Sequence, residues 1–156
     1  MSVTTKLRLA STAFQEGGLI PAQHTCDGEN TSPPLDWETG PPGTAAWVLI
    51  AEDPDARNWV HWLVVNLPPE VTSLEAGASG SLPGGALEGE TDNGPAIYGG
   101  PCPPSGEHRY VFSLYALSAP LVQGAELTAT GVRADMFGKV LAEGTLTGRY
   151  ARSGSR

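Results

Sequence analysis

At 156 residues the chain suits a single domain, read here as spanning 1–156. Its 20 glycines and 14 prolines call for many tight turns and exclude a helical bundle, and charged residues at 17% are too few for a coiled coil or an acidic disordered tail. A formal charge of −8 excludes wholesale attraction to nucleic acid or an anionic membrane, so any bound anion must be held by local donors.

No apolar stretch of signal-peptide length opens the chain, which leads us to expect a cytoplasmic location. Residues 6–9 alternate, with Leu7 and Leu9 on one face. Cys26 and Cys102 are too few for a disulfide framework or a four-thiolate zinc site. In a cytosolic chain two reduced thiols are expected, although both lie in Gly/Pro-rich loops that leave a single disulfide open. Residues 45–52 read as a strand buried on both faces, between Gly43 and Pro54. The longest apolar run, 45–51, is far short of a bilayer span. Residues 60–67 form a second strand, with His61, Leu63, Val65 and Leu67 facing one way and Val60, Trp62 and Val64 the other. The glycine-rich stretch 77–100 is long for a loop, which marks it as functional or mobile. A third strand, 109–117, sets Tyr110, Phe112, Leu114 and Ala116 on one face.

One helix is expected, from Val132, Met136 and Val140 with Phe137 and Leu141 alongside, stopped by Gly144 before alternation resumes over 145–151. The fold class is therefore mainly β: an antiparallel β-sandwich with one short helix in the C-terminal half. Apolar residues on both faces of the central strands suggest surface left to cover, and with it a homodimer.

Three places concentrate polar groups that turns do not need. They are Asp53-Pro54-Asp55 at a strand end, His61 on an otherwise apolar face, and the segment 99–110 with His108 and Tyr110 two residues apart. Each has a plain structural explanation alone: a turn initiator, a core histidine, a packed tyrosine. Together they assemble imidazole and phenol donors for an anion, with a carboxylate to orient one ring. Backbone N–H groups at Gly99 and Gly100 are expected to add donors, as nests do. Both rings are expected to serve as imidazolium donors, so that acid pH favours anion binding. His61, His108 and Asp53 also match a two-histidine, one-carboxylate metal triad in composition, but no compact ligand spacing supports a metal. Nucleotide-loop and hydrolase-elbow motifs are missing, and no cofactor is called for. An alternative reading is a small hydrolase with Asp53 and His61 as an acid–base pair.

Residues 26–37, then 53–56, then 59–62, then 100–104 with 108–110, resemble in order the phosphatidylethanolamine-binding proteins, most closely their bacterial and archaeal Raf kinase inhibitor-like branch. The resemblance runs from about Leu7 to Tyr150. It implies a β-sandwich whose pocket takes phosphate or phosphorylated head groups; with no nucleophile–base pair visible among the donors, binding without turnover is the leading expectation. Carried over by position, the ligand-binding residues are Asp53, Trp59, His61, Gly100, Pro101, His108 and Tyr110, with Asp55 and Arg109 paired at the pocket edge. It also implies a homodimer and regulation of a kinase or other partner, although the long C-terminal helix of the eukaryotic relatives is not evident. The chain departs from the family at Arg57, where proline is frequent, and in its short segment between Asp55 and His61.

Overall fold

The computed structural model describes residues 4–122 and 127–152. In chain order its elements are β1 (Thr5–Lys6), β2 (Leu9–Ala10), β3 (Leu35–Trp37), β4 (Ala46–Asp53), β5 (Trp59–Leu67), β6 (Ser73–Leu74), β7 (Leu87–Glu88), β8 (His108–Leu117), α1 (Ala129–Met136) and β9 (Val140–Tyr150). A six-stranded sheet runs β1-β9-β8-β4-β5-β7, and a three-stranded sheet runs β2-β3-β6. The expected sandwich is present, with one difference in strand direction. Residues 6–9 do not form one strand: β1 pairs parallel with β9, Leu7 donates to the Glu143 carbonyl, and β2 then pairs antiparallel with β3 in the other sheet.

Alternation along β4 sends side chains to two cores. Trp47, Leu49 and Ala51 meet Leu9, Leu35, Trp37 and Leu74 between the sheets. Val48 and Ile50 meet Val132 and Met136 of α1 on the outer face of the large sheet. The apolar residues on both faces are thus covered within the chain, and they no longer argue for a dimer. Among the described residues, no helix is long and apolar enough to cross a membrane.

Strict alternation fails twice along β5, each time at a β-bulge. Trp47 pairs with Leu67 but Leu49 with Val64, so β5 carries one extra residue there. Asn66 absorbs it with φ 56°, its amide clamping both backbone polar groups of Leu121. Leu67 thereby joins Trp62 and Val64 in the inter-sheet core, not Leu63 and Val65 as expected. The second bulge falls between the pairs Ala51–Trp62 and Glu52–Val60, and the extra residue is His61.

The helix is shorter than its apolar spacing implies. Thr128 caps it by accepting from the Gly131 N–H, and Gly138 at φ 81° ends it after Met136. Phe137 is left 91% exposed, and Val140 and Leu141 open β9. Gly144 is no helix stop but a mid-strand residue, needed because the Leu7 carbonyl oxygen passes 2.5 Å from where a Cβ would stand. The cysteines also depart from expectation: Cys26 and Cys102 form a disulfide. The Cys26 N–H donates to the Pro101 carbonyl and the Gly100 N–H to Asn30 Oδ1, and this registry brings the two Cα atoms to 5.4 Å. A bonded pair sits uneasily with a reducing cytoplasm.

Gly144→Ala is expected to destabilise the protein by about 1–3 kcal/mol, since the obstacle is backbone and cannot rotate away. Urea unfolding checks this, and an unchanged midpoint would contradict the close approach of the 7–9 segment to β9.

Candidate functional site

The site grows from the ends of β4, β5 and β8. Asp53 is the last residue of β4 and is buried. Its Oδ1 accepts the Asp55 N–H at 2.8 Å, capping the short 3-10 turn Pro54–Ala56, so the turn-initiator reading of Asp-Pro-Asp holds as well. Its Oδ2 meets His108 Nδ1 at 2.5 Å. Asp55 faces the other way and grips Arg109 through its backbone N–H, Nε and a terminal nitrogen, at 2.8, 3.2 and 2.9 Å. Arg109 holds the Asp55 carboxyl down to about pKa 2.

The bulge at His61 decides the rest. It turns the ring away from Leu63 and Val65 and onto Tyr110, with ring centroids 5.3 Å apart at 77°. His108, two residues before Tyr110 in β8, stacks on it at 6.4 Å and 25°. Gly99 then bonds His61 twice: its N–H donates to the His61 carbonyl at 2.9 Å, and its carbonyl faces His61 Nδ1 at 2.7 Å.

These side chains line a pocket of about 340 Å³. Of the residues singled out in the sequence, Asp53, Trp59, His61, Gly100, His108 and Tyr110 line it. Pro101 does not, and serves instead as the acceptor for Cys26 in the wall behind. Ala56, Asn93, Cys102, Pro103 and Pro104 complete the lining. Asn93 was hidden in an Asn-Gly turn signal; its Oδ1 accepts from Trp59 Nε1 at the mouth. Among the described residues, no lysine or arginine lines it.

Two electrostatic expectations are corrected. The Gly99 and Gly100 N–H groups are already used, by the His61 carbonyl and by Asn30 Oδ1, so they form no anion nest. Gly100 is glycine for space, because a Cβ there would lie 2.2 Å from the His24 carbonyl oxygen. Nor is His61 suited to be an imidazolium donor. Burial holds its pKa below the ordinary imidazole value, outweighing the Gly99 carbonyl and the carboxylates of Asp53 and Asp92. Tyr110 stays a phenol, pushed up by burial and by Asp53 and Asp55. Its buried hydroxyl has no hydrogen-bond partner among the described residues. The hydrolase pair Asp53–His61 does not form either, since Asp53 spends its oxygens on Asp55 and His108.

The long segment before Gly99 is tied down rather than loose. Glu88 accepts from Trp62 Nε1, Ser79 Oγ and the Gly80 N–H, while the Tyr98 hydroxyl donates to the His24 carbonyl at 2.6 Å. Arg57 takes φ 55°, which a proline ring forbids, and its side chain lines a separate cleft with Glu52, Asn58 and Asp92.

A two-sheet sandwich with a pocket lined by Asp53, His61, His108 and Tyr110 at the ends of its central strands defines a class of small, pocket-bearing β-sandwich proteins. Within that class the chain belongs to the phosphatidylethanolamine-binding protein family, whose model matches residues 10–151. It is 45% identical over 150 residues to a UPF0098 protein of Methanothermobacter thermautotrophicus, covering 94% of this chain and 99% of that one. Among solved structures it resembles a phosphatidylethanolamine-binding protein homologue from Chlamydia trachomatis, with TM-score 0.88 and 36% identity over 96% of this chain and all of that one. It also resembles E. coli YbcL, described as a member of the mammalian family, with TM-score 0.86 and 32% identity over 94% of this chain and 99% of that one.

A titration followed by imidazole ring-proton NMR is expected to give His61 a midpoint below 6.5. A midpoint above 6.5 would mean that the carboxylates, not burial, control this ring.

Proposed function

We propose that the protein binds a small phosphate-type anion in this pocket and does not turn it over. The observation that carries the reading is the buried, unpartnered Tyr110 hydroxyl. A buried polar group left unsatisfied costs about 1–3 kcal/mol, and a ligand oxygen accepting from it relieves that cost. The two imidazoles flank it, each with Nδ1 committed to the protein, to Gly99 and to Asp53. Each therefore has Nε2 left to meet a ligand. Asp53 has both oxygens occupied, which lessens its repulsion of an anion.

A second reading has one specific observation behind it: Asp53 orients His108 as a carboxylate orients a general base. The pocket lining includes no serine or threonine, and its one cysteine, Cys102, is tied in the disulfide. Binding is therefore the favoured reading, and p-nitrophenyl phosphate incubated with the protein is expected to give no release above buffer. Release lost in His108→Ala would establish the enzyme instead.

Tyr110→Phe is expected to weaken phosphate binding by roughly 2- to 12-fold while leaving unfolding stability equal or higher, because it deletes an unsatisfied hydroxyl. Phosphate titrations followed by the His61 and His108 ring signals measure the first effect, and urea unfolding the second. Unperturbed rings at millimolar phosphate would refute the binding reading.

A further inference from the structure

The pocket presents two kinds of hydrogen-bonding atom, and only one of them suits a bare anion. His61 Nδ1 lies 2.7 Å from the Gly99 carbonyl oxygen. A carbonyl can only accept, so the proton of the neutral ring sits on Nδ1 and Nε2 carries a lone pair. Nε2 makes no hydrogen bond with any described residue, and the ring lines the pocket. His108 differs in one respect: the group against its Nδ1 is the Asp53 carboxylate and not a carbonyl. Among the described residues no lysine or arginine joins the lining, and Arg109 is committed to Asp55.

A tetrahedral oxyanion entering here meets a donor at the Tyr110 hydroxyl, a further donor at His108 Nε2 when that ring is charged, and a lone pair at His61 Nε2. A bare oxygen against His61 sets lone pair against lone pair. An oxygen that bears a proton donates to it. We propose that the pocket selects oxyanions that carry a proton, namely inorganic phosphate and the monoanion of a phosphate monoester, over sulfate and phosphodiesters, with His61 Nε2 the acceptor that reads the proton. This inference rests on the anion-binding reading above. The groups facing His61 are Asp53 from β4, His108 and Tyr110 from β8, and Asp92 from the segment after β7; burial outweighs the Gly99 carbonyl and the two carboxylates and holds the ring's pKa below the ordinary imidazole value.

Calorimetric titration of the full chain with phosphate, methyl phosphate, dimethyl phosphate and sulfate, at pH 8 and pH 5.5, tests it. At pH 8 phosphate and sulfate are both tetrahedral dianions, but only phosphate carries a proton. Methyl phosphate loses its proton above about pH 6. Phosphate is expected to bind at least about fivefold more tightly than sulfate at pH 8. Methyl phosphate is expected to gain at least about fivefold on phosphate between pH 8 and pH 5.5, with dimethyl phosphate weak at both. A smaller ratio in either comparison overturns the inference while leaving anion binding intact. Absence of binding by all four overturns the anion-binding reading and this inference with it. His61→Ala is expected to at least halve the phosphate-to-sulfate ratio, and an unchanged ratio overturns His61 as the reader. Should that variant not fold, long-range 1H–15N spectra of the wild-type protein decide the matter. The neutral Nδ1–H form of His61 persisting in the phosphate complex supports the assignment, and a doubly protonated ring overturns it.

Discussion

Gly99 and His61 hold one another by two hydrogen bonds, and the pocket exists because of that exchange. One bond joins backbone to backbone and extends the edge of β5 into the glycine-rich segment. The other takes the imidazole Nδ1 proton, which fixes the ring plane and leaves Nε2 for the pocket. The bulge opposite Ala51 and Glu52 is what makes the second bond possible, since a regular strand would point His61 into the outer core with Leu63 and Val65. Once the ring is turned, Tyr110 meets it nearly at right angles, His108 stacks on Tyr110, and the segment after Gly99 closes the wall. The Cys26–Cys102 bond and the Gly100–Asn30 contact hold that wall to the neighbouring loop.

The electrostatic character of the site follows from the same arrangement. A chain carrying −8, with no lysine or arginine among the described residues of the pocket lining, does not attract anions by its overall charge. It offers hydrogen-bonding groups instead: a phenol whose pKa burial raises, an imidazole whose pKa burial lowers, and an imidazole backed by a carboxylate. Such a site rewards geometric and protonation match more than charge. Arg109 is held by Asp55 at the rim, where it secures the 3-10 turn to β8.

Much of this was legible in the residues. The apolar run of β4, the alternation of β8 and the density of turn residues indicated the sandwich, and the polar residues stranded at strand ends marked most of the pocket lining. What alternation could not show was any place where a strand gains a residue. Neither bulge in β5 has a local sequence signal beyond Asn66, whose tolerance of positive φ is visible only once the pairing is known. The helix was overextended because Val140 and Leu141 happen to continue its spacing past Gly138, where the chain had already turned into β9. The disulfide and the Gly100–Asn30 bond join segments 76 and 70 residues apart, and the Gly99 N–H is taken by His61, 38 residues away, so no local pattern encodes them.

A crystal grown in phosphate is the sharpest test of anion binding here, because the ligand is expected between three named atoms. Tetrahedral density is expected within hydrogen-bond distance of the Tyr110 hydroxyl and of Nε2 on both His61 and His108, with His61 still bonded to the Gly99 carbonyl. Phosphate bound elsewhere with this pocket holding only water, or a His61 ring flipped away from Gly99 to meet the anion, would contradict it.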